Sequence, residues 1–345
     1  MLRSIWYLDP RLLPAVNTDE LLYISAGSQY LAGLQRGNFT AFQFNAEHPP
    51  LSKILTALSV NLGGYVRLPA LISMRILDAA LGALTCMLLF VLLLRVSRKI
   101  AYIGWILLAA DPISIRYATA SLDVTMTFFL MLFSFLLVSR KYPLAGVVGG
   151  LATLSKYPAI AAVMLSALFL LASGDVRGIQ ALRRLAVVGF PLVLVIFIGD
   201  PILWPSQIIG YSGIAVLNSA TSSTLLGGAT TFFSFLAEGL RSSNAQAQMN
   251  LLQFFGLYLT VFYFPFFTSS YLPWTFSASL LDRARRRVGL SQVETAMLAW
   301  FCGLMLVLWL ITKKGDYYVI TLMPPLAAFS ATSLSKLIGT KGNAT

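Results

Sequence analysis

The chain has 345 residues, of which 57% are hydrophobic and only 11% charged, against about 25% charged in ordinary soluble domains. That balance excludes a soluble globular enzyme and specifies an all-α, polytopic transmembrane helix bundle. The net charge of +12 does not point to nucleic acid, because the basic residues bunch in short stretches between apolar runs, as the positive-inside rule requires.

In chain order, the opening "MLRSIWYLDPRLLPAV" is too short and too polar to form a span, and it lacks the apolar core of a signal peptide. Residues 17–72 read as a first outer loop within a single integral membrane domain, 1–345. In this loop "DELLYISAGSQYLAGLQ" (19–35) sets Leu21, Ile24, Leu31 and Leu34 near one helical face, the pattern of a helix lying in the membrane interface. Next comes "FNAEHPPLSKIL" (44–55), with the only histidine of the chain. Pro49–Pro50 hold the backbone before them extended and punctuate the start of a second interfacial helix over 51–66. A tenth span at 51–66 would break the alternation of charge described below.

Spans need about 20 apolar residues, and nine runs qualify or nearly so: 73–95, 100–115, 120–138, 143–156, 157–173, 185–201, 251–274, 292–311 and 317–337. A second long outer loop, 202–250, is rich in Ser, Thr, Gly and Asn, and long loops without regular structure tend to carry function. On alternate turns stand five basic clusters: Arg95, Arg98 and Lys99; Arg140 and Lys141; Arg177, Arg183 and Arg184; Arg283, Arg285, Arg286 and Arg287; Lys336 and Lys341. These turns, and with them the C-terminus, are expected on the cytoplasmic side of the cell membrane. Cys86 and Cys302 lie inside apolar runs and read as small packing groups, with no CxxC to suggest zinc or redox chemistry.

Charges at membrane depth are costly and usually mark function. Here they gather at the outer ends of the runs: Asp19–Glu20, Glu47–His48, Lys53, Asp111, Arg116, Asp123, Lys156, Asp200 and Lys313–Lys314. Snorkelling of single long basic side chains is the rival reading. It is weak for Asp123 and Lys156, which sit inside "ATASLDVTMTFFL" and "GGLATLSKYPAI". Arg116 and Asp123 are seven residues apart, about 10 Å along one face of a continuous helix, so a structural Arg–Asp pair is the alternative to a shared site. Glu47 and His48 could ligate a divalent metal, but two adjacent residues rarely hold one ion and no HxxxH or HExxH accompanies them. A metal is therefore the second choice there, and no other cofactor is called for. Asn38-Phe39-Thr40 is an N-glycosylation sequon on the expected outer side.

The series "TDE", "EHPPLSKIL", "RYATASLDVTMTFF" and "GGLATLSKY", in this order over residues 17–175, resembles the group of dolichyl-phosphate-mannose protein O-mannosyltransferases and lipid A aminoarabinose transferases. The tail "KKGDYYVITLMPPLAA" is similar to their C-terminal segment more loosely. The resemblance implies a GT-C glycosyltransferase fold, a polyprenyl- or dolichyl-phosphate-hexose donor, and inverting transfer to an acceptor hydroxyl on the outer face. It implies that Asp19 is the general base and that Glu20 positions the acceptor or supports the base. Arg116 and Lys156 match basic positions near the donor phosphate, and Asp123 matches the acid of the second outer loop. Glu47, His48 and Lys53 are expected at the same face, His48 matching the mannosyltransferase branch. The group's first span is expected to be missing or to lie upstream of Met1, and the soluble carbohydrate-binding module of fungal and animal members is expected to be absent. The acceptor is thus open between protein, lipid and glycan. Two rival functions remain: a polytopic secondary transporter, which would normally show an internal repeat and midplane charges, and a non-catalytic protein that binds a lipid-linked sugar. No repeat relates the two halves, and Asp19 is present.

Overall fold

A computed structural model of the protein describes residues 18–46, 48–118, 123–172, 178–205, 208, 270–286, 289–310 and 316–340. Most of the second outer loop, the span read at 251–274 up to residue 269, Glu47, and Lys313–Lys314 lie outside this set. Among the described residues all regular structure is helical: α1 Thr18–Arg36, α2 Pro50–Tyr65, α3 Ala70–Leu94, α4 Arg98–Ala110, α5 Pro112–Tyr117, α6 Val124–Val138, α7 Tyr142–Ser155, α8 Ala159–Ala172, α9 Ile179–Gly199, α10 Leu272–Arg286, α11 Gln292–Leu310 and α12 Met323–Thr340. Short 3₁₀ turns occupy Phe39–Gln43, Pro201–Leu203 and Asp316–Leu322.

The two helices read in the first outer loop are present as α1 and α2, each within a residue of the expected ends. Pro50 opens α2 at its first position, where a missing N–H leaves no bond unmade. The inward face of α1 is not its leucine stripe, however. Glu20, Tyr23, Ala26, Tyr30 and Gly33 are buried, while Leu21 and Leu34 point outward. This face carries small residues and hydrogen-bonding aromatics because α2 crosses it at close range. A Cβ on Gly27 would stand 2.1 Å from the Lys53 carbonyl oxygen.

Three segments are long and apolar enough to cross a membrane: Ala70–Leu94, Ile179–Gly199 and Tyr318–Ser335. Four shorter apolar helices, Val124–Val138, Tyr142–Ser155, Ala159–Leu170 and Gln292–Leu308, accompany them. Several runs read as single spans are thus shorter helices with a break at a polar residue. The run 100–115 divides at Asp111–Pro112, where Asp111 Oδ2 accepts from Ser114 N at 2.8 Å and caps α5. In the run 120–138 helix α6 starts at Val124, after the turn residue Asp123, and Lys156, in extended backbone, ends α7. In each case a polar side chain or proline competes with helix continuation at the same end of the bundle.

The core runs through α3, α4, α6, α7, α8, α11 and α12, with Leu89, Leu92, Phe133, Trp300 and Phe329 among its fully buried side chains. Helix α9 lies on the rim. It meets α7 across Gly146, where a Cβ would stand 2.2 Å from the Val188 carbonyl oxygen, and turns Phe190, Val193 and Phe197 outward. Cys86 is buried as expected, but Cys302 is exposed on α11, because that helix turns its opposite face to the core.

Candidate functional site

The first turn of α1 carries Asp19 and Glu20. Glu20 is fully buried and locked to α3: Arg75 donates from Nε to Oε1 at 2.9 Å and from Nη2 to Oε2 at 2.8 Å. Such a bidentate pair fixes both the distance and the plane of the carboxylate. Asp78, one helical turn beyond Arg75, is 3% exposed and within electrostatic reach of both partners. Neither Arg75 nor Asp78 stands out in the sequence, because both sit inside a long hydrophobic run. The available signal was a pair of opposite charges at i and i+3 in "SMRILDAAL". The side chain of Asp19 lies outside the described set, and its backbone follows Thr18 in α1.

Lys53 stands beneath the loop that precedes α2. It is fully buried, and its ammonium donates to the Asn45 carbonyl at 2.5 Å, the His48 carbonyl at 2.6 Å and the Tyr30 hydroxyl at 3.1 Å. These contacts make Lys53 a strut for the loop. The rings of Tyr23 and Tyr30 flank it at 5.7 and 5.1 Å. Tyr30 in turn donates to the Phe44 carbonyl at 2.6 Å. Phe44, Asn45 and His48 are thereby held against α1, with Asn45 in the left-handed region at φ 57°. His48 is brought to Tyr23, with ring centroids 5.9 Å apart.

Next to Lys53, Ser52 donates to the Ser155 carbonyl at 3.0 Å and pins the start of α2 to the end of α7. The following residue, Lys156, pairs with the fully buried Asp123 at 2.5 Å and lies 4.3 Å from the centre of the Tyr318 ring. Asp123 thus meets Lys156, and it does not share one continuous helix with Arg116: α5 ends at Tyr117 and α6 starts at Val124. The side chain of Arg116 is outside the described set. Beyond Lys156, Tyr157 donates to Asp200 at 2.7 Å and is within electrostatic reach of Tyr30.

These contacts form one polar layer at the end of the bundle opposite the basic clusters. It draws on α1, α2 and its preceding loop, α3, the breaks before α6 and after α7, the end of α9 and the Asp316–Leu322 turn. Below it a small apolar recess is lined by Gly82, Thr85, Leu108, Ala118, Val124 and Ile320, among others. Gly82 is one turn below Asp78, and Val124 directly follows Asp123. The arrangement places carboxylates and an ammonium above an apolar recess. Among the described residues no three His, Cys, Asp or Glu side chains come together as a metal site. The Glu47–His48 alternative has one member outside that set.

Residues 47–204 match the family model described as dolichyl-phosphate-mannose-protein mannosyltransferase. No curated protein matches the chain by sequence. The fold is similar to the crystal structure of ArnT from Cupriavidus metallidurans in the apo state, with a TM-score of 0.59, 16% identity, and coverage of 98% of this chain and 59% of that one. It is also similar to the Archaeoglobus fulgidus oligosaccharyltransferase crystallised with zinc and sulfate, with a TM-score of 0.52, 17% identity, and coverage of 86% and 41%. The chain thus spans less than two thirds of the length of either. Its fold is that of the GT-C membrane glycosyltransferases, and the family match supports the same group, the one its motifs resemble.

Proposed function

We propose that this protein transfers a hexose, on the mannosyltransferase pattern, from a polyprenyl- or dolichyl-phosphate donor to an acceptor hydroxyl. The observation that carries this reading is the polar layer, in which acids and bases from six sequence-distant segments meet above an apolar cleft. A lipid-linked sugar phosphate has the same two parts, a charged head and a greasy tail. Asp19 acts as general base on the acceptor hydroxyl, and Glu20, clamped by Arg75, supports the turn that carries it. The acceptor oxygen attacks the anomeric carbon as its proton passes to Asp19, and the lipid phosphate leaves with the bonding electrons. The phosphate is already a good leaving group, so one positioned base suffices. Displacement in one step inverts the anomeric centre, since retention would require a second, nucleophilic carboxylate. Lys156 and Arg116 face the developing phosphate charge. Asp123 holds Lys156 until the donor arrives, and His48 contacts the sugar phosphate or the loop. The polar layer faces away from the cytoplasm, and the basic end and C-terminus face toward it.

Membranes carrying the protein, incubated with radiolabelled polyprenyl-phosphate sugars, are expected to move label from one donor into a lipid, glycan or protein fraction. Asp19→Asn is expected to lower that rate by roughly 10²–10⁴-fold, the usual contribution of a general base. Full activity in the variant overturns the base assignment, and labelling of no acceptor from any donor overturns the reading itself.

A further inference from the structure

Helices α7 and α8 are joined by residues 156–158 alone. Pro158 has no N–H with which to continue α7, and Lys156 stands in extended backbone. Element ends of this kind are where chains hinge, yet this one is fastened by three other elements. The Ser155 carbonyl accepts from Ser52 of α2 at 3.0 Å. Lys156 pairs with Asp123, ahead of α6, at 2.5 Å. The Tyr157 hydroxyl donates to Oδ2 of Asp200, the residue that ends α9, at 2.7 Å. Asp200 is fully buried. Its N–H donates to the Ile196 carbonyl and its carbonyl accepts from the Leu203 N–H, each at 3.0 Å, so the anchor of Tyr157 is a helix end tied into its own backbone. The seating of α9 does not depend on this hydrogen bond. A Cβ on Gly146, Gly150 or Gly199 would stand 2.2, 2.7 or 2.3 Å from Val188, Val195 or Leu154, which shows α7 and α9 in close contact along their length. A buried carboxylate at such depth is costly and usually marks function. The transfer uses Lys156 and leaves Tyr157 and Asp200 without a part.

We propose that Tyr157, through its hydrogen bond to Asp200, is a positioning residue for Lys156 at the donor phosphate. This rests on the reading of the site as a transferase in which Lys156 meets that phosphate. Lys156 has two tasks there: it pairs with Asp123 while the site is empty, and it turns its ammonium to the phosphate when the donor enters. Tyr157 fixes the backbone one residue beyond Lys156, as Ser155 fixes it one residue before. The ammonium therefore swings on a held backbone, and the donor does not have to order the joint on binding, a cost that preorganisation removes. The effect belongs to donor binding and not to the acceptor, because Asp19 stands on α1, a separate element.

The test uses the full chain reconstituted in lipid nanodiscs, with a polyprenyl-phosphate hexose as the probe. Tyr157→Phe, Lys156→Met and the double variant are compared with the parent at equal folded fraction. Tyr157→Phe deletes one hydroxyl and keeps the ring. It is expected to weaken donor binding by roughly fivefold to tenfold, the worth of one hydrogen bond to a charged group, while KM for the acceptor stays within about twofold. In the Lys156→Met background the same change is expected to have no further effect on donor binding, since residues that act through one contact are not additive. Unchanged donor affinity in Tyr157→Phe, with Lys156→Met impaired, overturns the proposal. So does an equal loss in both backgrounds, the behaviour of a group that acts independently of Lys156. Failure of Tyr157→Phe to fold would make the hydrogen bond architecture alone and overturns it as well. A parent that binds no donor, or a Lys156→Met variant that binds it normally, defeats the reading of the site itself, and the proposal with it.

Discussion

Two buried ion pairs stand at opposite ends of this bundle and are built differently. At the basic end Arg283 pairs with Glu294, eleven residues away across the α10–α11 turn. Both oxygens of Glu294 are engaged: Oε1 by Arg283, and Oε2 by the backbone N–H and hydroxyl of Ser291 at 2.9 Å each. Ser291 in return accepts from the Glu294 N–H at 3.3 Å, which makes a capping box at the start of α11. Thr332 of α12 completes the set at 3.3 Å from Arg283. This pair is local, capped and sufficient as architecture. At the other end Arg75 reaches Glu20 across 55 residues of sequence, and a further buried carboxylate, Asp78, follows one turn along the same helix. Lys156 and Asp123 meet where two helices stop. Equal burial therefore does not mean equal purpose. One end spends its charges on helix termini, and the other concentrates them beside a cleft.

Single substitutions should treat the two ends alike in stability. Arg75→Met and Arg283→Met each leave a buried carboxylate without its main partner, and each is expected to lower stability by roughly 3–5 kcal/mol, read as thermal unfolding in nanodiscs. A neutral Arg75→Met would mean that Glu20 is supported by other groups. Ligand binding should then separate the ends. Arg116→Ala is expected to weaken donor binding by about tenfold or more, the worth of one charged hydrogen bond, with acceptor affinity nearly constant. Unchanged donor affinity would return Arg116 to a structural role. The smallest contrast concerns backbone approach. Gly27→Ala sets a methyl 2.1 Å from the Lys53 carbonyl oxygen and is expected to destabilise by about 1–3 kcal/mol. Gly289→Ala, beside the Arg283 pair but in open space, is expected to be nearly silent in the same measurement.

The helices of the first loop could be read because proline punctuation and apolar spacing are local signals, and local signals were enough for 18–36 and 50–65. The gathering of charges at one end was legible as well, since alternation of basic turns assigns every run a direction. What escaped was pairing. Asp123 was set beside Arg116 by counting along one helix, but α5 ends at Tyr117 and α6 begins at Val124, and Lys156 reaches Asp123 from the end of another helix. That Lys53 also braces the loop before α2, through the Asn45 and His48 carbonyls, could not be read from the sequence, because those contacts depend on how the chain folds back around it. Arg75 and Asp78 were hidden for the opposite reason. A hydropathy window averages two charges into a run that remains apolar, although their cost at that depth is what makes them informative.

The contrast between the two ends is tested most directly by two double variants assayed side by side. In Arg283→Met/Glu294→Leu and Glu20→Leu/Arg75→Met, a buried pair is exchanged for apolar groups of similar size, a change that folded proteins often tolerate. The initial rate of label transfer from a polyprenyl-phosphate hexose would be measured in reconstituted protein of equal folded fraction. The account predicts a rate near the parent's in the first variant and none in the second. Transfer by Glu20→Leu/Arg75→Met at the parent's rate would contradict it.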